Sequence, residues 1–168
     1  MVSENTRTQF KIIAGESAVA AGAATLCALV LEVPVWAMFI GWISYFTRGF
    51  SLRHGVLNLA SVLVGLVLGI GAALLLMLLN PLFGIYTISV VVMLVAMIAL
   101  SLAKAPLVNN LLGFFLGLVA YFASHLAPSL AAFTELAVAI TLGAIAAWLA
   151  HALQLRIQRA AANREIAL

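Results

Sequence analysis

Two carboxylates, Glu16 and Glu135, stand inside otherwise apolar runs of a chain that contains no aspartate. An ionisable group within hydrocarbon costs roughly 2.5–3.5 kcal/mol on insertion scales, so each is a candidate for carrying a proton or an ion. Each also has a plainer reading. Glu16 follows Lys11 by about one helical turn and can snorkel or pair near a membrane boundary, and Glu135 lies about two turns, or ~9 Å, beyond Pro128-Ser129. Glu32, just before Pro34, belongs outside, solvated or attracting cations. The histidines do not make a metal site: His54, His125 and His151 fall on separate segments, with no Asp, Cys or second His at ligand spacing. No phosphate-binding loop, nucleophile elbow or Ser/His/acid set is present, so the sequence argues against an enzyme and implies no cofactor and no metal.

The other chemistry-bearing pattern is aromatic. Phe39, Trp42 and Tyr45 or Phe46 recur at spacings of three to four, and Phe115, Leu118, Tyr121 and Phe122 do likewise. On helices these form a ring stripe in each half. Such rings, with the two tyrosine hydroxyls, suit a narrow passage for small, compact solutes; the competing reading is an ordinary interfacial belt, since Tyr45-Phe46 and Tyr121-Phe122 lie near the ends of their apolar runs.

The elements that position these residues must sit in lipid. Hydrophobic residues make up 66% of the chain and charged residues 8%, too little polar surface to coat a water-soluble globule. The mean hydropathy is +1.24. Breakers divide the chain into six apolar segments near 12–32, 34–47, 55–79, 85–103, 107–124 and 129–153, with gaps at Pro34, Asn80-Pro81, Pro106 and Pro128. Their lengths suit helices rather than barrel strands. The first run is too long for a signal-peptide core and reads as a retained span. Cys27, the only cysteine, permits no disulfide within the chain and reads as packing.

The formal charge of +3 does not indicate nucleic acid, because the basic residues all fall in alternate connections. Arg7 and Lys11 precede the first segment, Arg48 and Arg53 follow the second, Lys104 follows the fourth, and Arg156, Arg159 and Arg164 follow the sixth. The opposite connections hold no Lys or Arg. By the positive-inside rule both termini are expected in the cytoplasm, with six spans; a re-entrant second or fifth segment is the alternative.

The stretch Phe39-Ile40-Gly41-Trp42-Ile43-Ser44-Tyr45-Phe46 aligns without gaps on Phe115-Leu116-Gly117-Leu118-Val119-Ala120-Tyr121-Phe122. Weaker similarity extends outward: Ser17-Ala18-Val19 to Ser89-Val90-Val91, Pro34 to Pro106, and Leu59-Ala60 to Leu136-Ala137, which sets Asn58 against Glu135 as a polar group near each mouth. Three spans per half require the halves to enter from opposite sides. The expected architecture is therefore an all-α membrane protein of six transmembrane helices in two inverted three-helix repeats, with the second and fifth helices antiparallel near the pseudo-twofold axis. The expected divisions are an N-terminal cytoplasmic segment 1–11, a first repeat 12–80, a second repeat 81–153 and a basic helical tail 154–168 that meets anionic lipid. Leu149, Leu153 and Ile157 are expected to pack between subunits. Segment two is short: Val35 to Thr47 would reach about 20 Å, against a hydrocarbon core of about 30 Å.

Helix association in lipid depends on small residues. Gly113 and Gly117, continued by Ala120 and Ser124, make such a face; Ala37, Gly41 and Ser44 make the matching one, and Gly65 and Gly69 a third.

Written as Trp36-Ala37-x-Phe39-x-Gly41-x-x-x-Tyr45-Phe46, with Gly113, Phe115 and Gly117 in the second half, the pattern resembles the YcdZ-like family of small bacterial inner-membrane proteins, catalogued as a domain of unknown function. The resemblance covers nearly the whole chain. It implies a bacterial inner-membrane location and supplies no substrate or catalytic residue. The function expected from the residues is a channel or facilitator for a small polar solute such as urea, an amide or ammonia, as a homo-oligomer in the bilayer. The alternatives are an ion- or proton-coupled transporter using Glu16 or Glu135, and a non-transporting scaffold or accessory subunit.

Overall fold

A computed structural model of the protein describes residues 2–105 and 109–166. Among these the fold is helical, without a strand. Helix α1 spans Val2–Leu26 and continues as a π-helical turn, Cys27–Leu31; α2 spans Val35–Tyr45, α3 Leu52–Phe83, α4 Thr87–Leu102, α5 Leu111–Ser124 and α6 Leu130–Ile166. Three stretches are long and apolar enough to cross a membrane: Thr6–Leu31, Leu52–Leu102 and Leu130–Asn163. By this measure of length and composition the chain is a membrane protein, since crossing a hydrocarbon core of about 30 Å takes about 20 apolar helical residues. Helices α2 and α5, of 11 and 14 residues, are shorter. They reach about 16 Å and 21 Å at the usual rise.

The breakers act unevenly. Pro34 caps α2 with an extended backbone, and α6 opens two residues after Pro128. The expected break at Asn80-Pro81 is not where α3 stops: the helix runs through Pro81 to Phe83 and ends at Gly84, whose φ of 53° is a left-handed conformation that glycine takes without strain. A proline removes one hydrogen bond, and in a final turn the helix survives that loss. The break expected at Pro106 lies outside the described residues.

Two crossings hold the core. Helix α3 packs along α5, and α2 along α6. In the first, a Cβ on Gly65 would overlap the Phe114 carbonyl, and one on Gly117 the Val62 carbonyl. In the second, a Cβ on Gly41 would overlap the Ile140 carbonyl, and one on Gly143 the Met38 carbonyl. Glycine is required at these four positions because the backbones touch, the contact by which helices associate in lipid. Gly65 meets Phe114 and Gly69 meets Tyr121, so α3 and α5 run parallel; Gly143 meets Met38 while His151 meets Tyr45, so α2 and α6 run parallel too. The hairpin joining α2 to α3 then sets α2 and α5 antiparallel.

The outer helices complete the bundle. Helix α1 lies against α6 through Gly15 and Leu153 and through a buried cluster of Ala23, Cys27, Met38 and Ala146. Helix α4 lies against α3 and α5, its Val91 and Val95 packing with Ala72 of α3 and Leu118 of α5. Leu153 and Ile157, expected between subunits, both approach Gly15 of the same chain. Gly15 lacks the Cβ that would hold the helices apart, so α1 covers those side chains.

Candidate functional site

Several of the buried polar side chains gather where α2 ends, α3 begins and Asn110 caps α5. At one end, the Asn58 amide donates to the Tyr45 carbonyl (3.4 Å) and the Arg48 carbonyl (3.1 Å), while its oxygen accepts from the Asn110 amide at 2.9 Å. Asn110 also donates to the Thr47 hydroxyl (2.7 Å), and its own oxygen caps α5 by accepting from the Gly113 N–H at 3.1 Å. The Arg48 guanidinium donates to the Asn109 side-chain oxygen. Two loops, α2–α3 and α4–α5, are thereby joined through buried amides. Asn58 is 1% exposed, and every buried side-chain polar atom among the described residues has a partner. Such burial is tolerable only with complete pairing.

Beside this cluster the Tyr45 hydroxyl and His151 Nδ1 are 3.0 Å apart, linking α2 to α6. Phe46 meets Tyr45 edge-on at 5.1 Å, and Phe50 lies 5.6 Å from the His151 ring. Arg48, Arg53 and Lys104 are at the same end of the bundle as the start of α1 and the end of α6, because Gly15 packs beside Leu153, about half a turn past the Tyr45–His151 contact.

At the far end the Tyr121 hydroxyl donates to the Leu126 carbonyl at 3.2 Å, and Phe122 meets Tyr121 at 5.4 Å. Glu135 is half-buried on α6 and Glu16 half-buried on α1. Neither belongs to the amide cluster.

Between the two ends the interior is apolar. Val62, Leu66, Leu136 and Ile140 are fully buried, with Ala37, Ala120 and Ala139 among them. This plug separates Asn58 from Glu135 within a single chain. The ring stripes also divide. Tyr45 and Tyr121 point inward and are buried, Trp42 packs against the α1–α6 cluster, and Phe39 and Phe115 face outward at 42% and 43% exposure. The outward phenylalanines therefore line no enclosed passage in one chain. They sit on the face away from Gly41 and Gly117, whose backbone contacts turn that side of each helix inward.

Asn58 and Glu135, aligned as counterparts in sequence, are not equivalent in packing. Asn58 is 1% exposed, while on α6 the fully buried residue one turn before Ile140 is Leu136. Glu135 is its neighbour, turned about 100° round the helix. Asn110, Thr47, Arg48 and His151 escaped the sequence reading as parts of this cluster. The signal for Asn110 was available: Asn ahead of Leu-Leu-Gly, three residues before a glycine, is a helix N-cap pattern. Nothing local pointed to the Tyr45–His151 contact, which spans 106 residues.

Residues 16–151 match the family model described as protein of unknown function (DUF1097), and the chain belongs to that family. No curated protein and no solved structure matches it.

Proposed function

We propose that this member of a family of unknown function conducts a small polar solute, of the urea, amide or ammonia class, across a bacterial inner membrane as a homo-oligomer, with both termini in the cytoplasm. The observation that carries the reading is the shortness of α2 and α5, 11 and 14 residues, against a hydrocarbon core of about 30 Å. Helices of that reach leave their polar ends below the membrane surface. The Asn58–Asn110–Thr47 cluster then floors one depression, and Tyr121, Ser124 and Leu126 border the other. Non-helical backbone at such depth is tolerated where it faces protein or a water-filled cavity.

The architecture supporting this reading is a pair of inverted three-helix halves. Met38–Gly143 and Gly41–Ile140 on one side answer Phe114–Gly65 and Gly117–Val62 on the other. Cys27 and Ala99, both fully buried, and Ala23 and Val95, both 8% exposed, extend the correspondence to α1 and α4. Each short helix lies along the third helix of the opposite half, which interlocks the halves. The basic residues gathered at one end, together with the YcdZ-like resemblance, support a cytoplasmic face there.

Because Val62, Leu66, Leu136 and Ile140 close the middle of one chain, the passage in this reading lies between copies. The same plug favours a second reading, a non-transporting scaffold or accessory subunit. An ion-coupled carrier would need Glu16 or Glu135 to exchange protons, although both are apart from the amide cluster. The deciding experiment is reconstitution of the purified protein in liposomes, with urea and ammonia flux compared with ion current. Flux of the neutral solute above empty vesicles, without current, supports conduction. Equal rates in protein-containing and empty vesicles overturn it and leave the scaffold.

A further inference from the structure

We infer that Lys11 of α1 and Arg156 of α6 bind the phosphate of one anionic phospholipid, of the phosphatidylglycerol type, across the groove between the two helices. Helices α1 and α6 run antiparallel, since Gly15 packs beside Leu153 and Ala23 packs with Ala146. Lys11 lies about 90° round from the α1 face formed by Ile12, Gly15 and Ala23, and Arg156 about 80° round from the α6 face formed by Leu153 and Ile157, in the same sense. In an antiparallel pair the same sense of rotation leads to the same side, so both cations overhang one groove. The other side is taken: there His151 reaches Tyr45 of α2, and Glu16 falls on that side too. Counted from the Gly15–Leu153 contact, Lys11 and Arg156 also stand within about 2 Å of the same height.

A face turned to the bilayer is covered by lipid, and the charges on it choose the headgroup. No Lys or Arg interrupts the chain from Ile12 to Leu31, a helical length of about 30 Å, so Lys11 marks the level where hydrocarbon gives way to phosphate. Both cations are exposed, and among the described residues no ion pair engages either. Packed helices have axes about 8–10 Å apart, so two flexible basic side chains can close on one phosphate from both sides with charge-assisted hydrogen bonds. Arg7 and Arg159, each about one turn further out, add to the positive field, and Glu4 is two turns from Lys11, about 10 Å along the helix. Below the cations the groove is shallow and apolar, with Ala18 and Gly22 of α1 opposite Ile145 and Leu149 of α6, all exposed. A Cβ on Gly22 would meet nothing within 4 Å. From Lys11 to Gly22 is about 16 Å, room for the upper part of an acyl chain. A basic tail by itself attracts anionic lipid diffusely; pairing Arg156 with Lys11 makes a discrete site. The site needs the chain to stand in a membrane and needs no solute to be conducted.

The test is native mass spectrometry of the full-length protein released from detergent micelles, titrated with phosphatidylglycerol or with phosphatidylcholine of the same acyl chains. The first phosphatidylglycerol is expected to bind several-fold more tightly than phosphatidylcholine. Lys11→Gln with Arg156→Gln should remove most of that preference. Arg53→Gln with Lys104→Gln, the same change in charge at the same end of the bundle, should keep it. Gly22→Leu fills the groove without touching a charge and should weaken phosphatidylglycerol binding several-fold. Melting curves check that each variant is folded, and Lys11→Gln alone serves if the double variant is not. A parent without the preference overturns the site. An equal loss in both double variants overturns it in favour of diffuse attraction. Loss of dimers rather than of lipid in Gly22→Leu overturns it by assigning the groove to a second copy.

Discussion

The Asn58 side-chain oxygen accepts a hydrogen bond from the Asn110 amide at 2.9 Å, across 52 residues of sequence, with both side chains buried. Removing one partner leaves the other unpaired where water does not reach. Asn110→Ala also deletes the cap on the Gly113 N–H. A loss of about 1–3 kcal/mol is expected, read from denaturant titration in detergent micelles. Asn58→Leu with Asn110→Leu should recover only part of it, because the Tyr45 and Arg48 carbonyls also lose their donor.

The crossings give a sharper contrast among glycines. Gly41→Val and Gly65→Val push a side chain into a neighbouring backbone and should cost at least the ~1–3 kcal/mol of an overpacked core, seen as loss of a folded peak in size-exclusion chromatography. Gly22→Ala and Gly71→Ala meet nothing within 4 Å and should stay within about 0.5 kcal/mol of the parent.

The proposed sidedness is checked with single cysteines on a Cys27→Ala background. A membrane-impermeant maleimide applied to intact cells should label Ala127→Cys and miss Ser51→Cys and Ala160→Cys, which are exposed at the opposite end or close to it. Labelling of all three, or of Ser51→Cys alone, contradicts termini in the cytoplasm.

Glu135→Gln and Glu16→Gln distinguish passive from coupled movement. A neutral-solute passage should keep its flux in both variants, measured by light scattering after an osmotic jump. A coupled carrier should lose concentrative uptake in at least one.

Tyr45→Phe deletes the hydroxyl facing His151 and keeps the ring packing. A loss of about 1 kcal/mol is expected by the same titration, the usual worth of one hydrogen bond.

Much of this protein was legible along the chain. Runs of apolar residues gave the helices, Pro34 and Pro128 gave two of their starts, and the alternating basic residues gave a sidedness to test. The motif shared by Gly41 and Gly117 put the second and fifth helices in register before any contact was known. These are local properties: hydropathy, a missing N–H and a charge each act within a few residues. What only the tertiary structure decided is which surfaces meet. A helix apolar on every side has no stripe that marks its inward face, so the sequence did not tell that α2 packs chiefly along α6 and α5 along α3. Nor did it tell that Phe39 and Phe115 turn outward, or that Leu136 and not Glu135 enters the core. Backbone contact at four glycines fixed those choices, because a crossing that close admits a single rotation of each helix about its axis.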